Sequence, residues 1–239
     1  MPHLHRFYHP DTPSPTGIVA LSAEEAHHAL RVLRVRPGDA VELFDGQGHA
    51  WTGVIAELSR NDVSVALSEE TFTPRELPGL TLAQAWLHRD KVLDDIVRDA
   101  TVLGVARISF FRAAHSEKAP KRSPKWTRLM IESCKQCGRP WLPELTLASS
   151  LAEVLGQSEG ASIAVASMEG PHAPMASIEC ERPAVYFVGP EGDFSADEMR
   201  ALRSAGALPL SLGRYTLRSE AAAAVGITLI QHHLGVLGG

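Results

Sequence analysis

Residues 184–195 read Ala184-Val185-Tyr186-Phe187-Val188-Gly189-Pro190-Glu191-Gly192-Asp193-Phe194-Ser195, and this stretch decides the fold. Five apolar or aromatic residues in a row, without alternation, suit a strand buried on both faces. The turn that follows holds two glycines and a proline, so the strand ends there. Ser195 stands three residues before Glu198, the spacing of a capping box, and opens a helix that Gly206 ends. A strand, a glycine turn and a helix make up most of a β-α-β unit.

The same alternation extends to either side. Leu80–Trp86 reads as a strand, Asp90 starts a helix that Gly104 ends, and Ala106–Phe111 is a strand. Ser123 as N-cap and Pro124 at the first helical position open a helix that stops at Gly138. Leu151–Leu155 is a short helix, Ser162–Ala166 and Leu208–Leu212 are strands, and Ser219–Leu234 is a long final helix. This order predicts an α/β domain over 73–239, with a mostly parallel sheet and helices on both faces.

Residues 1–72 differ in character. Short strands are expected at Ile18–Leu21, Ala40–Phe44, Trp51–Glu57 and Val63–Leu67, with turns at Arg36-Pro37-Gly38-Asp39 and Asp45-Gly46-Gln47-Gly48. One helix interrupts them: Ser22 and Glu25 have capping-box spacing, and Ala26, Leu30 and Leu33 follow at helical intervals. The pattern predicts a small β-barrel, and Thr73-Pro74-Arg75-Glu76-Leu77-Pro78-Gly79 reads as the linker after it.

Composition narrows the classes. With 44% hydrophobic and 21% charged residues in 239, the chain can build a globular core. The apolar stretch Ala221–Ile227 is far too short to cross a bilayer, and the N-terminus lacks the layout of a signal peptide, so a soluble, cytoplasmic protein is expected. Three cysteines build no disulfide framework. The net charge of −5 is unevenly spread: residues 1–72 hold five Lys/Arg against ten Asp/Glu, and the rest is balanced. Within the balanced part, Arg112, Lys118, Lys121, Arg122, Lys125 and Arg128 face one acid, Glu117. Such a local basic patch can steer a polyanion even on an acidic chain.

Several chemical signatures compete. Gly156-Gln157-Ser158-Glu159-Gly160 matches a nucleophile elbow, and Asp193 and His232 follow in hydrolase order, but the pentapeptide ends a helix instead of opening one after a strand. Cys134 and Cys137 have CxxC spacing without a second pair to complete a tetrahedral metal site, so they read as structural and no metal is expected. His3, His5 and His9 alternate as on an exposed terminal strand. Neither a Walker A loop nor a G-x-G-x-x-G after a strand occurs. Two glycine turns do follow strands: Gly189–Ser195, and Leu212-Gly213-Arg214-Tyr215-Thr216-Leu217-Arg218. In open α/β sheets small ligands bind beyond the carboxyl ends of strands, which makes these turns a candidate site.

These turns also carry a family resemblance. Gly-Pro-Glu-Gly followed by Phe-Ser, then Leu-Gly-Arg-x-x-Leu-Arg-Ser-Glu-Ala-Ala, resembles the ribosomal RNA small-subunit methyltransferase E family of the SPOUT superfamily. His28–Asp39 and Phe44-Asp45-Gly46 resemble its PUA-like barrel, and Ala100–Val105 and Cys134–Arg139 its interior helices. The resemblance implies a PUA-like RNA-binding barrel and a SPOUT domain with a deep trefoil knot. It further implies bound S-adenosyl-L-methionine, a homodimer, and methylation of uridine N3 in small-subunit (16S) rRNA. A ribose 2′-O-methyltransferase on the same fold and a non-enzymatic RNA-binding module are the alternatives.

The cofactor residues implied are Val188, Gly189, Pro190, Glu191, Gly192, Leu212, Gly213, Tyr215, Leu217 and Arg218, and topology adds Met168, just after the strand Ser162–Ala166, as a wall of the pocket. Arg218 is a candidate to offset charge developing on the uracil carbonyls, or else a phosphate or carboxylate clamp. Glu220 is a candidate proton acceptor, or else a helix-dipole partner. RNA contacts are expected from Arg6, Arg31, Arg34, Lys118, Lys121, Arg122 and Lys125, and a small-subunit rRNA, free or in an assembled subunit, is the expected partner. The chain departs from the family pattern where Asp193 replaces a usual third Gly, where Tyr215-Thr216 replaces a usual Ile, and where Ser219-Glu220-Ala221-Ala222 replaces Thr-Glu-Thr-Ala.

Overall fold

The computed structural model of the chain describes residues 4–11, 13, 17–75, 79–167 and 180–238. It divides into two compact units, Met1–Arg75 with Ile131–Leu142, and Glu76–Met130 with Pro143–Gly239.

The first unit is a five-stranded sheet in the order β1-β3-β4-β5-β2, built from β1 (His5–Tyr8), β2 (Gly17–Ala20), β3 (Ala40–Phe44), β4 (His49–Leu58) and β5 (Val63–Phe72). β1 runs parallel to β3, and every other pairing is antiparallel. Alternation sends Val63, Val65 and Leu67 inward to pack with Phe7, Val41, Leu43, Trp51 and Ile55. α1 (Ala23–His27) begins where Ser22 Oγ accepts from Glu25 N, and it continues as a π-helical turn (His28–Leu33) ended by Arg34 at φ 55°.

Ile131–Leu142 joins this unit for reasons that sequence order does not show. The Arg6 guanidinium donates to Cys134 O at 2.6 Å and to Glu42 Oε1 at 2.5 Å. Lys135 Nζ reaches both Glu25 oxygens at 3.0 and 3.1 Å. Gly48, at φ 100°, lies so close to Trp141 that a Cβ would meet its ring at 2.6 Å.

The second unit is an all-parallel six-stranded sheet in the order β11-β9-β10-β6-β7-β8. Its strands are β6 (Leu80–Ala85), β7 (Arg107–Phe111), β8 (Glu144–Ala148), β9 (Ser162–Ala166), β10 (Ala184–Val188) and β11 (Leu208–Leu210). Its helices are α2 (Asp90–Val102), α4 (Leu151–Gly156), α5 (Ala196–Ser204) and α6 (Ser219–His233), while α3 (Lys125–Cys137) runs from this unit into the first. Every residue of β10 is buried, as its unbroken apolar run requires. One sheet face packs Ala83, Phe111, Val165 and Phe187 against Leu151 and Val154 of α4 and Leu202 of α5. On the other face α6 lies on β10, where Tyr186 Oη donates to Ala222 O at 2.9 Å.

Strand β8 lies outside the expectations above: its alternating Glu-Leu-Thr-Leu-Ala is five residues at a sheet edge, too short to stand out. β11 ends at Leu210, two residues early, because Ser211 and Leu212 turn away into a loop.

Candidate functional site

The chain leaves β6 toward one edge of the sheet through β7 and β8, then fills the other side with β9, β10 and β11. The order therefore reverses between β6 and β10, and connections diverge from that point. A cavity of about 660 Å³ opens there, beyond the carboxyl ends of β9, β10 and β11 and beside the first turns of α2 and α6.

The two glycine turns meet across this cavity. Ser219 Oγ, at the start of α6, donates to Gly189 O at 2.7 Å and accepts from Gln84 Nε2 at 2.9 Å. Gln84 Nε2 also donates to Ala85 O at 3.0 Å, so the end of β6 is tied to both turns. Gln84 is fully buried, and its Oε1 has no partner among the described residues. It was not singled out from sequence; the available signal was a glutamine one residue before the end of a mostly apolar strand.

Of the cofactor residues implied by the sequence, Val188, Gly189, Pro190, Glu191, Leu212, Gly213, Tyr215, Leu217 and Arg218 line the cavity, together with Glu220. Met168 lies outside the described residues. Gly192 does not line the cavity: a Cβ there would meet His115 at 3.2 Å, and His115 Nδ1 lies 2.9 Å from both Gly192 O and Asp193 O. Arg214 and Thr216, of the second glycine turn, line it as well, and so do Arg89, Val92 and Ser167, which were not singled out from sequence.

Asp193 takes φ 59°, the left-handed region that a glycine would enter freely and that Asp tolerates better than most residues. Its Oδ1 accepts from Phe194 N at 2.8 Å, just before the capping box of Ser195 and Glu198 that starts α5. Glu198 Oε1 also accepts from Ala114 N at 2.8 Å, anchoring the start of the basic loop. Glu191 Oε1 accepts from His88 N at 3.1 Å.

The guanidiniums behave differently. Arg89, Arg214 and Arg218 are exposed on the cavity rim, and none has a carboxylate partner among the described residues. Arg218 holds the N-cap position of α6 without a side-chain cap. Glu220, half-buried, sits in the first turn of the same helix.

The expected RNA contacts divide. Lys118, Lys121 and Arg122 are exposed along one loop of the second unit and Lys125 at the first residue of α3, and Arg31 and Arg34 are exposed in the first unit. Arg6 is corrected: it is 8% exposed and its guanidinium is held by Glu42 and Cys134 O, with Phe44 beneath it. It serves as an internal strut because a buried charge must be paired. Burial also pushes the Cys134 thiol up to about 12, which leaves it inert as a nucleophile, and no group of three metal-ligating side chains occurs among the described residues. Ser158 Oγ donates to Val154 O at 2.7 Å within a buried turn, so it is occupied structurally.

Comparison with known proteins settles the kinship. A family model described as an RNA methyltransferase domain matches residues 75–231, and one described as an RNA methyltransferase PUA domain matches residues 21–68. The ribosomal RNA small subunit methyltransferase E of Aquifex aeolicus is 30% identical over 223 residues, 92% of this chain and 95% of that protein. This chain belongs to the ribosomal RNA small-subunit methyltransferase E family.

Solved structures match over nearly the whole chain. A methyltransferase E from Neisseria gonorrhoeae, bound to S-adenosyl methionine, superposes with a TM-score of 0.86 at 28% identity, covering 97% of this chain and 98% of that one. A methyltransferase described as putative from Legionella pneumophila, in complex with the same cofactor, gives 0.82 at 27% identity, over 96% and 97% of the two chains. The family is of the SPOUT class, as the glycine turns indicated.

Proposed function

We propose that this chain transfers the methyl group of S-adenosylmethionine to N3 of a uridine in small-subunit rRNA. The observation that carries the reading is the cavity in which the two family turns, joined by Ser219 and Gly189, close on one another.

The residues present fit the cofactor. The cavity has the volume of a small-molecule site, with apolar walls from Val188, Leu212 and Leu217 and polar groups at its rim. At Gly189 a Cβ would meet Asp193 Oδ1 at 3.1 Å and Phe194 at 3.4 Å, so the turn packs tightly against the backbone there. Val188, Gly189, Pro190, Leu212, Gly213 and Leu217 would hold the cofactor, and Gly192 would act through the loop it shapes with His115.

When bound, S-adenosylmethionine supplies an activated methyl on a sulfonium, which needs no metal or covalent enzyme intermediate. The chain must then orient uracil N3 in line with that methyl and take its proton. N3 lies on the Watson–Crick edge, so the base must be unpaired or flipped out. As the N3–C bond forms and the C–S bond breaks, the N3 proton goes to the Glu220 carboxylate. The carboxylates of Glu191 and Asp193 are already engaged by backbone N–H groups, which leaves Glu220 the more available acceptor. Arg218, without a carboxylate partner among the described residues, offsets the negative charge that the uracil carbonyls gain.

The exposed basic loop and the PUA unit supply RNA-holding surfaces. The trefoil knot belongs to this proposal too: the return of the chain after edge strand β11 to lay α6 on β10 and β6 fits it. Homodimer formation and a cytoplasmic location follow the family. No described helix is long and apolar enough to cross a membrane. The test is transfer of label from methyl-labelled S-adenosylmethionine into the rRNA of small subunits purified from a strain lacking the activity. Label in the rRNA supports the reading, and its absence under saturating cofactor contradicts it.

A further inference from the structure

Tyr215 is the conspicuous residue of the cavity rim. It is 75% exposed, the most open of the large hydrophobic residues among those described, yet it lines the cavity. Exposing an aromatic ring forgoes the favourable burial of its apolar surface, so a ring held out at a site's mouth suits a partner that arrives later. Arg214 stands beside it, with its guanidinium carbon 5.9 Å from the ring centroid. Arg89 and Arg218 complete a rim of three guanidiniums without carboxylate partners among the described residues. The rim's Glu191 and Asp193, by contrast, accept from backbone N–H groups.

An open aromatic face flanked by unpaired cations matches the chemistry of single-stranded nucleic acid, in which bases stack and phosphates need counter-charge. An enclosed small cofactor needs neither a ring turned outward nor three positive charges. We infer that Tyr215, in place of the cofactor contact that the family resemblance implies for it, is a specificity-determining residue on whose ring the target base stacks once it has left its pairing partner, with Arg214 and Arg89 taking the flanking phosphates. This inference rests on the RNA methylation proposed above and deepens it.

The test compares the unaltered chain with Tyr215→Ala and Tyr215→Phe, using small subunits lacking the modification as the RNA probe. Because the ring is so exposed, Tyr215→Ala should fold normally, and calorimetry with S-adenosylmethionine should give an unchanged Kd. The KM for subunits should rise about tenfold or more in Tyr215→Ala and stay near the original in Tyr215→Phe. An unchanged KM in Tyr215→Ala overturns the inference. A parallel rise in the cofactor Kd also overturns it, since the ring would then serve the cofactor, and so does Tyr215→Phe behaving like Tyr215→Ala. The unaltered chain reads the underlying reaction separately: if it fails to methylate, the function itself falls and this inference with it.

Discussion

Arg218 stands at the N-cap of α6 with its guanidinium unpaired among the described residues, so its removal should not disturb the fold. Its value to the reaction lies in the difference between a neutral uracil and one losing its N3 proton. Arg218→Ala should therefore lower the single-turnover rate at saturating RNA and cofactor by on the order of 10²-fold, while the cofactor Kd holds. Rate and cofactor affinity falling together would make it a cofactor clamp instead. A loss of RNA affinity with an intact saturated rate would make it a phosphate contact. The glycines and acids of the site were legible as residue types in the sequence, because a strand followed by a glycine turn is a local pattern. Gln84 and the inward path of Arg6 were not. Each takes its role from contacts more than 100 residues away in sequence, Ser219 for the one and Cys134 for the other.

Among the elements, α6 links packing to the site. Its small residues Ala222, Ala223 and Gly226 are buried within the unit, where they allow close approach to the sheet. A Cβ on Gly226 would lie 2.1–2.3 Å from the Tyr186 ring and hydroxyl, which are fully buried beneath it. Gly226→Ala should therefore lower stability by about 1–3 kcal/mol or more, visible as a reduced denaturation midpoint. Combining it with Tyr186→Leu, which removes the colliding atoms, should recover part of that loss. An undiminished midpoint in the single variant would mean that α6 can shift freely off β10. Strands and helices with continuous apolar runs or caps were readable in advance, β10 and the capped α5 above all. The edge strand β8 was not, since its pairing with β7, and no local signal, makes it a strand.

For the molecule as a whole, charge distribution matters more than net charge. The chain is acidic at −5, but Lys118, Lys121 and Arg122 stand exposed on one loop, with Lys125 exposed where α3 begins. Reversing Lys121 and Arg122 to Glu should weaken rRNA binding and flatten its log–log salt dependence by close to one unit per lost phosphate contact. Cofactor affinity should be untouched, and an unchanged slope would make the loop merely solvated. Two units and a parallel sheet were foreseeable from the alternation of elements, whereas the transfer of Ile131–Leu142 to the first unit depends on the Lys135–Glu25 and Arg6–Cys134 contacts.

The central claim is base methylation at N3, and the chemical identity of the product tests it most directly. Small subunits from a strain lacking the activity should be incubated with the purified chain and S-adenosylmethionine, and their rRNA digested to nucleosides for mass spectrometry. The expected result is one new 3-methyluridine per subunit, mapped to a single position. A methyl on the ribose 2′-oxygen, or no methylated nucleoside at all, would contradict it.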